Sequence, residues 1–274
     1  QVAAFPEQLE VRSALTGEVL ASLPLGEQIA QRYGAPYATL HRADLHQLLL
    51  NAVEAQTGVQ LHLNTVVQGF TQTPQTVRLR TQSSSGAPDE AVHEAEGDVL
   101  IGADGVWSFV REQLLGDGDP IVTGHLAYRA LLPQHSLPAR LRSHQVTVWL
   151  GPRLHVVQYP VHGGEWLNVV AIVHGSVQGE AQSWDHSSNA DDLRAALIGT
   201  CASLQALIEA VPEWRLWVLH DRLPMRGADQ QARGLVALLG DAAHPMRPYL
   251  AQGAGMALED AACLGQLLSQ NRQD

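Results

Sequence analysis

The residues best placed to do chemistry sit near the end of the chain. The apolar run 235–239 ends in Gly240-Asp241, a loop bounded by Pro245 and Pro248 follows, and Gly253-Ala254-Gly255 opens a stretch with helical spacing. A strand that ends in Gly-Asp sets a carboxylate just beyond its carboxyl end, where α/β folds bind their ligands. A carboxylate in that place can accept hydrogen bonds from sugar or polyol hydroxyls. The small residues at 253–255 let a flat ligand approach the backbone. They also leave free N–H groups at a helix N-terminus, where the dipole favours negative charge. A GxG standing alone reads as well as a loop capping a core helix. Asp241 and the two prolines between strand and helix favour the ligand reading.

Three further segments carry candidates. Residues 98–111 run from a short strand through Gly102-Ala103-Asp104-Gly105 into a helix start. Asp104 is placed either to hold backbone donors or an arginine near a pyrophosphate, or simply to cap the helix. Ser108 reads as a cap, and Arg111 stands about two helical turns on. In His41-Arg42-Ala43-Asp44, Arg42 opens a helix, where a cation opposes the dipole unless it meets a phosphate or carboxylate. The alternative there is a solvated arginine. In Leu154-His155-Val156-Val157-Gln158-Tyr159, residues 155 and 159 share one face of a strand with Val157 between them. They are either a base with its hydrogen-bonding partner or a surface histidine beside a core tyrosine. His244 reads as a structural residue of its turn rather than a catalyst. Arg129 and Arg247 are either receptors for a substrate carboxylate or solvated charges. The histidines show no HxxxH or HExxH pattern, so no metal is expected.

These groups need elements to hold them. Within 42–56, Leu45, Leu48, Leu49, Ala52 and Val53 follow helical spacing, and Gly58 ends the run. Residues 1–37, punctuated by glycine and proline, read as short strands and loops. Strands are expected at 59–70, 75–82 and 89–95, with a turn at 83–88, then at 98–101 before a helix carrying Trp107, Val110 and Leu114. From 122 to 174 the chain is β-rich, with strands at 125–132, 145–150, 154–161 and 165–174. One or two helices within 191–210 and a strand at 214–220 lead to the strand at 235–239. A helix over 254–269 closes the chain, with Ala257, Ala261, Leu264 and Leu268 as its expected buried stripe. Trp149, Trp166, Trp214 and Trp217 read as core or interface residues. The order is α/β, then a β block, then β-turn-α, which suggests a nucleotide-type fold interrupted by a sheet domain.

Composition narrows the classes. With 274 residues, 45% of them hydrophobic, the chain can bury a substantial core. Lys+Arg is 17 and Asp+Glu is 28, a net charge of −11, which argues against nucleic acid or an anionic membrane as partner. A few arginines in a cleft can still override that field for a small anion. Cys201 and Cys263 form no CxxC pair and read as reduced, buried side chains of a cytoplasmic protein. No apolar run approaches the roughly 18 residues of a membrane span.

Taken together, Arg42, Asp104-Gly105 and the segment 240–261 (GDAAHPMRPYLAQGAGMALEDA) resemble the class A flavoprotein monooxygenases, the family of p-hydroxybenzoate, salicylate and 3-hydroxybenzoate hydroxylases. The resemblance covers nearly the whole chain. It implies an α/β fold: an FAD-binding Rossmann-like domain of glutathione-reductase type at 38–118 and 230–274, with an inserted, mainly antiparallel β-sheet substrate domain formed by 1–37 and 119–229. It implies hydroxylation of a small phenolic or heteroaromatic carboxylate with NAD(P)H and O2, through a flavin C4a-hydroperoxide. Gly240 and Asp241 would serve the ribityl chain of FAD. The backbone of Gly253, Ala254, Gly255 and Met256 would cradle the flavin ring, whose reduced form is negative at its N1/C2 edge. Asp104 and Gly105 would serve the FAD pyrophosphate and the nicotinamide cofactor, and Arg42 the FAD phosphate and ribose. Pro248 would lie beside the substrate ring, with His155 as base and Tyr159 as hydrogen-bonding partner. A homodimer is compatible with the family.

The family's opening GxGxxG is missing here, since Gly17, Gly26, Gly34 and Gly58 are too far apart to make one. The Rossmann-like domain is therefore expected to be incomplete, lacking a preceding βαβ unit of roughly 30 residues or more and a following helical portion. Two rival readings stand beside the hydroxylase. One is another FAD-linked oxidoreductase on this scaffold, such as a halogenase, although the WxWxIP segment of that lineage is absent. The other is an inactive fragment serving only as a folding or interaction module.

Overall fold

The structure, a computed structural model, describes residues 2–84, 92–175, 186–187 and 191–270. Its contacts divide the chain into two compact units, 1–59 with 124–219 and 60–123 with 220–274.

The first unit is built on an eight-stranded sheet. Its order is His186–Ser187, Arg215–Asp221, Ile121–Pro133, Trp166–His174, Leu154–Val161, Val146–Gly151, Gln8–Ser13 and Val19–Pro24. The β block expected from 122 to 174 is its centre, joined antiparallel, whereas Gln8–Ser13 runs parallel to Val146–Gly151. Alternation along these strands decides what each face does. Leu126, Tyr128, Ala130 and Leu132, with Val156, Leu167, Val169, Ala171 and Val173, bury one face against Leu193, Leu204, Leu207 and Ile208 of the helices Asp191–Ala196 and Ala202–Glu209. Trp149 and Trp214 join that core, as expected. The opposite face carries the residues of intervening parity, His125, Arg129, His155, Val157 and Tyr159, all half-buried. A short helix, Glu27–Tyr33, and the helix Arg42–Glu54 also belong to this unit. The first stands where only strands and loops are expected, because Gly26 and the left-handed Gly34 bracket about two turns of helix-compatible residues.

The second unit holds two three-stranded sheets. One contains Thr65–Gln72, Val77–Ser83 and His93–Gly97, paired antiparallel. The strand expected from 59 begins only at Thr65, because Val59, Leu61 and Leu63 are exposed and find no neighbour to cover them. Most of the turn expected at 83–88 lies outside the described residues. The other sheet sets Leu100–Gly102 parallel to Val236–Leu238, with Ala232–Arg233 at its edge. Val110, Leu114, Val236, Leu238, Ala242, Ala243 and Val77 form the core of this unit. Trp107 falls outside the helix Phe109–Leu115, which starts after its cap, Ser108.

The helix Gly253–Gln270 forms as expected but buries none of its residues among those described. Ala257 and Leu264 are half-buried and Ala261 and Leu268 exposed, since only the strand-end turn Gly240–Ala242 packs against it closely. Cys263, on the same helix, is exposed and Cys201 half-buried, so neither is the buried side chain expected; both are free thiols. No helix among the described residues is long and apolar enough to cross a membrane.

Candidate active site

In the second unit, parallel pairing fixes the geometry. Leu100 donates its N–H to Leu235 (2.9 Å), and Leu239 donates to Gly102 (2.9 Å). The two strands therefore end side by side, and Asp104 and Asp241 both follow their carboxyl ends. Gly102 is required for this approach: a Cβ there would lie 2.8 Å from Val110 and 2.9 Å from Leu238. Gly240 has φ +57, a backbone that favours glycine, and a Cβ there would lie 3.2 Å from Ala257, so the helix behind it leaves little room for a side chain.

The carboxylates of this unit divide their work. Asp104 accepts from the Ser108 hydroxyl and from the Val110 N–H (3.0 Å), and Ser108 Oγ accepts from the Arg111 N–H (2.9 Å). Asp104 thus holds a backbone donor and braces the helix start, while Gly105 turns the chain with φ +78. Asp260 accepts from the Gly240 N–H (3.0 Å) and bonds His244 Nε2 (2.6 Å), which makes His244 a structural brace of the Gly-Asp turn. Asp241 is different: its side chain is exposed, forms no hydrogen bond among the described residues, and lies against Gly253, whose Cβ position is 3.9 Å from Asp241 Oδ1. The turn and the helix start are thereby brought together. Gly253, Ala254 and Gly255 supply the N–H groups that a helix leaves unpaired at its N-terminus. At Gly255 an added Cβ would meet open space. Met256 is exposed, and Pro248 is half-buried at the start of the turn Pro248–Leu250.

Two arginines take roles that spacing alone does not reveal. Arg111 is 1% exposed. It donates to Asp117 (2.8 and 2.6 Å) and to the carbonyls of Ala242 (3.1 Å), Ala243 (2.9 Å) and Leu223 (3.1 Å). It clamps the Gly-Asp segment from behind. Arg222 shares Asp117 (3.1 Å) and donates to Val106 and Gly118. Arg247 pairs with Asp221 at 3.0 Å, which occupies the charge considered for an anion.

In the first unit, His155, Val157 and Tyr159 do share a sheet face. Tyr159 lies opposite Asn168, and Arg129 lies opposite Val170, the partner of Val157. Burial lowers the pKa of His155, and neighbouring His125 lowers it further, so the imidazole is kept neutral. Burial raises the pKa of Tyr159, which keeps its hydroxyl a donor; Arg129 opposes that shift and Tyr37 adds to it. Thr39 Oγ1 donates to the Pro160 carbonyl (2.5 Å) and ties the segment bearing Tyr37 to this strand. Burial also lowers the pKa of Arg129, an effect that Tyr159 opposes and Arg42 reinforces. The Arg129 guanidinium stacks 5.0 Å over Trp217, yet its buried Nε has no hydrogen-bond partner and no carboxylate pairs with it among the described residues. The helix start at Arg42 leaves that side chain exposed. Reading by spacing missed His41, Asp44 and His162, whose side chains also converge in this unit. The first two are three residues apart in sequence, but the third joins them only through the fold.

A strand-end carboxylate set against a glycine-rich helix start, beside a second parallel strand ending in Asp-Gly, is the arrangement of a dinucleotide-binding flavoprotein. A family profile described as "FAD binding domain" matches residues 11–273, and the chain belongs to that family, among the class A flavin-dependent aromatic hydroxylases. It is 35% identical over 276 residues to a 3-hydroxybenzoate 6-hydroxylase of Polaromonas naphthalenivorans (strain CJ2), covering 99% of this chain and 64% of that protein. It is 38% identical over 266 residues to a 6-hydroxynicotinate 3-monooxygenase of Bordetella bronchiseptica, covering 97% and 66%. Among solved structures, Klebsiella pneumoniae HpxO complexed with FAD and uric acid matches at 25% identity and a TM-score of 0.77, covering 97% of this chain and 64% of that one. A salicylate hydroxylase substrate complex matches at 26% identity and a TM-score of 0.76, covering 95% and 64%. The fold is therefore that of the FAD-binding monooxygenases, with mixed α/β sheets, and the chain spans just under two thirds of the length of these relatives.

Proposed function

We propose that this chain is the flavin-ring and substrate-recognising part of an FAD-dependent monooxygenase that hydroxylates a small phenolic or heteroaromatic carboxylate using NAD(P)H and O2. The observation that carries the reading is Asp241, an exposed carboxylate unengaged among the described residues and held against the start of a long helix by a turn that Asp260 and Arg111 brace. Its surroundings fit FAD: a carboxylate for the ribityl hydroxyls, unpaired N–H groups at Gly253, Ala254 and Gly255 for the anionic edge of the ring, and room at Gly255 for a flat body. FAD when bound supplies the oxygen-activating redox chemistry that side chains lack. Gly240 and Met256 complete this cradle, Asp104 and Gly105 serve the pyrophosphate side, and Arg42 serves phosphate and ribose.

The chain's own residues do the rest. Neutral His155 takes the proton of a substrate phenol, which raises the electron density of the ring. Tyr159 donates to the substrate's hydroxyl or carboxylate. Arg129 receives the carboxylate, for which a stacked guanidinium with no carboxylate beside it among the described residues is well suited. Pro248 borders the ring. In this assignment 38–118 and 230–274 form the FAD-binding domain, an incomplete Rossmann-like one, and 1–37 with 119–229 form the inserted substrate domain. The helix Arg42–Glu54 then serves FAD although its contacts group it with the sheet. Small aromatic substrates and O2 are the expected partners, in a cytoplasmic protein compatible with a homodimer.

The test is direct. The purified chain is incubated with excess FAD, desalted and scanned for flavin absorbance, alone and as Asp241→Ala. Retained flavin that Asp241→Ala sheds supports the reading. No retained flavin would overturn flavin binding by this chain and favour the folding or interaction module instead.

A further inference from the structure

We propose that His41, Asp44 and His162 form a binding site for a divalent first-row transition ion, independent of the flavin reading. His41 is the N-cap of the helix Arg42–Glu54 and Asp44 lies in its first turn, while His162 begins the turn His162–Gly164 after the strand Leu154–Val161. One donor atom from each lies within 4.8 Å of the other two.

The internal geometry is not that of an ordinary ion pair. His162 Nδ1 stands 2.8 Å from Asp44 Oδ2, yet that buried oxygen receives no hydrogen bond among the described residues. The distance is that of a hydrogen bond, but the alignment is not. Two donors that crowd together without pointing at each other are arranged as ligands around a shared centre. His162 also holds a left-handed backbone, φ 50, which a non-glycine residue adopts at a cost. Its ring is fixed there by His41, 5.1 Å away at 37°, and by the edge of Trp166, 6.1 Å away.

The donor set selects the ion class. Ca2+ and Mg2+ take all-oxygen shells, and thiolate-seeking ions need sulfur. Two imidazoles and one carboxylate suit Zn2+ and its divalent neighbours, with a fourth position left to water. Ligand atoms on a tetrahedral ion with bonds of about 2.0–2.1 Å lie about 3.4 Å apart. The donor atoms here all lie within 4.8 Å of one another, close enough for small side-chain adjustments to set them around one ion. An ion there would pin the first turn of the helix, next to Arg42, to the turn at the end of the strand that carries His155 and Tyr159.

The experiment uses the tag-free chain, stripped with EDTA and dialysed. It is titrated with Zn2+ by calorimetry and with Co2+ by visible absorption. One ion per chain is expected, with the Co2+ bands of a four-coordinate site and a rise in melting temperature. His162→Ala and Asp44→Asn should each weaken binding at least tenfold, while His46→Ala, an exposed histidine of the same helix, should bind as the wild type does. Circular dichroism checks that each variant is folded. A wild-type chain that binds no ion, or binding that neither substitution weakens, overturns the proposal. So does destabilisation by His162→Ala with no Zn2+-dependent stabilisation of the wild type, the behaviour of a plain ion pair.

Discussion

Arg111→Met removes the clamp behind the Gly-Asp segment and should be the most damaging single change in the second unit. The side chain is almost fully buried and spends its donors on Asp117 and on the carbonyls of Ala242, Ala243 and Leu223. Breaking a buried ion pair by deleting one partner costs about 3–5 kcal/mol, because the other charge is stranded. Here Asp117 is 24% exposed and keeps Arg222 at 3.1 Å, which moves the pair toward the low end. The three carbonyls lose their donors in a dry environment, at about 1 kcal/mol each when no water replaces them. These costs overlap, so about 3–4 kcal/mol is expected in all. With a urea m-value of about 3 kcal/mol/M, the midpoint falls by about 1 M. Arg111→Lys restores a charge but not the planar fork, and about half of the loss should remain. Hydrogen exchange localises the effect: the amides of Ala243 and His244, bonded to the Gly240 carbonyl, should lose protection first. A loss below about 1 kcal/mol for Arg111→Met, or a lysine variant equal to wild type, would refute the clamp.

Three other changes test separate parts of the argument. Gly102→Ala should destabilise the chain by about 1–3 kcal/mol through overpacking against Val110 and Leu238, read as a lower melting temperature; an unchanged melt would mean that the two strands can separate freely. The folded-state pKa of His155 lies below the ordinary 6.5, so as pH falls past that value the unfolded chain takes up a proton before the folded one does, and stability is lost. Urea midpoints at pH 7.5 and 5.5 should therefore differ more in the wild type than in His155→Gln, and equal differences would sink the assignment. Arg129→Met should leave stability within about 1 kcal/mol of wild type or raise it, since no carboxylate pairs with the guanidinium among the described residues, while weakening binding of the phenolic carboxylate class proposed above; a loss above about 2 kcal/mol would reveal a structural role.

What could be read from the sequence followed local rules. Period-two alternation located the strands of the β block and put His155 and Tyr159 on one face, and the Gly-Asp and Gly-Ala-Gly spacing located a strand end and a helix start. What could not be read depended on partners distant in the chain. Leu264 and Leu268 have helical spacing, but spacing says only that a face is apolar, not that anything covers it. Asp104 and Asp241 both follow a short apolar strand. Only the fold shows that one is consumed by Ser108 and Val110 while the other stays unengaged. The convergence of His162 on His41 and Asp44 joins residues too far apart for any motif search to connect.

The arginines make the same point in energetic terms, and they locate function more sharply than any motif here. Burying a guanidinium is costly unless its donors and its charge are met. Arg111 and Arg222 meet that requirement entirely with Asp117 and main-chain carbonyls, so their burial serves the fold. Arg129 has an aromatic ring beneath it, a second positive charge at Arg42 nearby, and no carboxylate beside it among the described residues. A fold gains nothing from that arrangement. It stands on the face that carries a neutral imidazole and a protonated phenol, the three groups that the proposed function sets around an anion bearing an ionisable hydroxyl. Under the function proposed here, an aromatic hydroxy-carboxylate would answer all three groups, whereas a neutral aromatic would leave the cation of Arg129 unanswered.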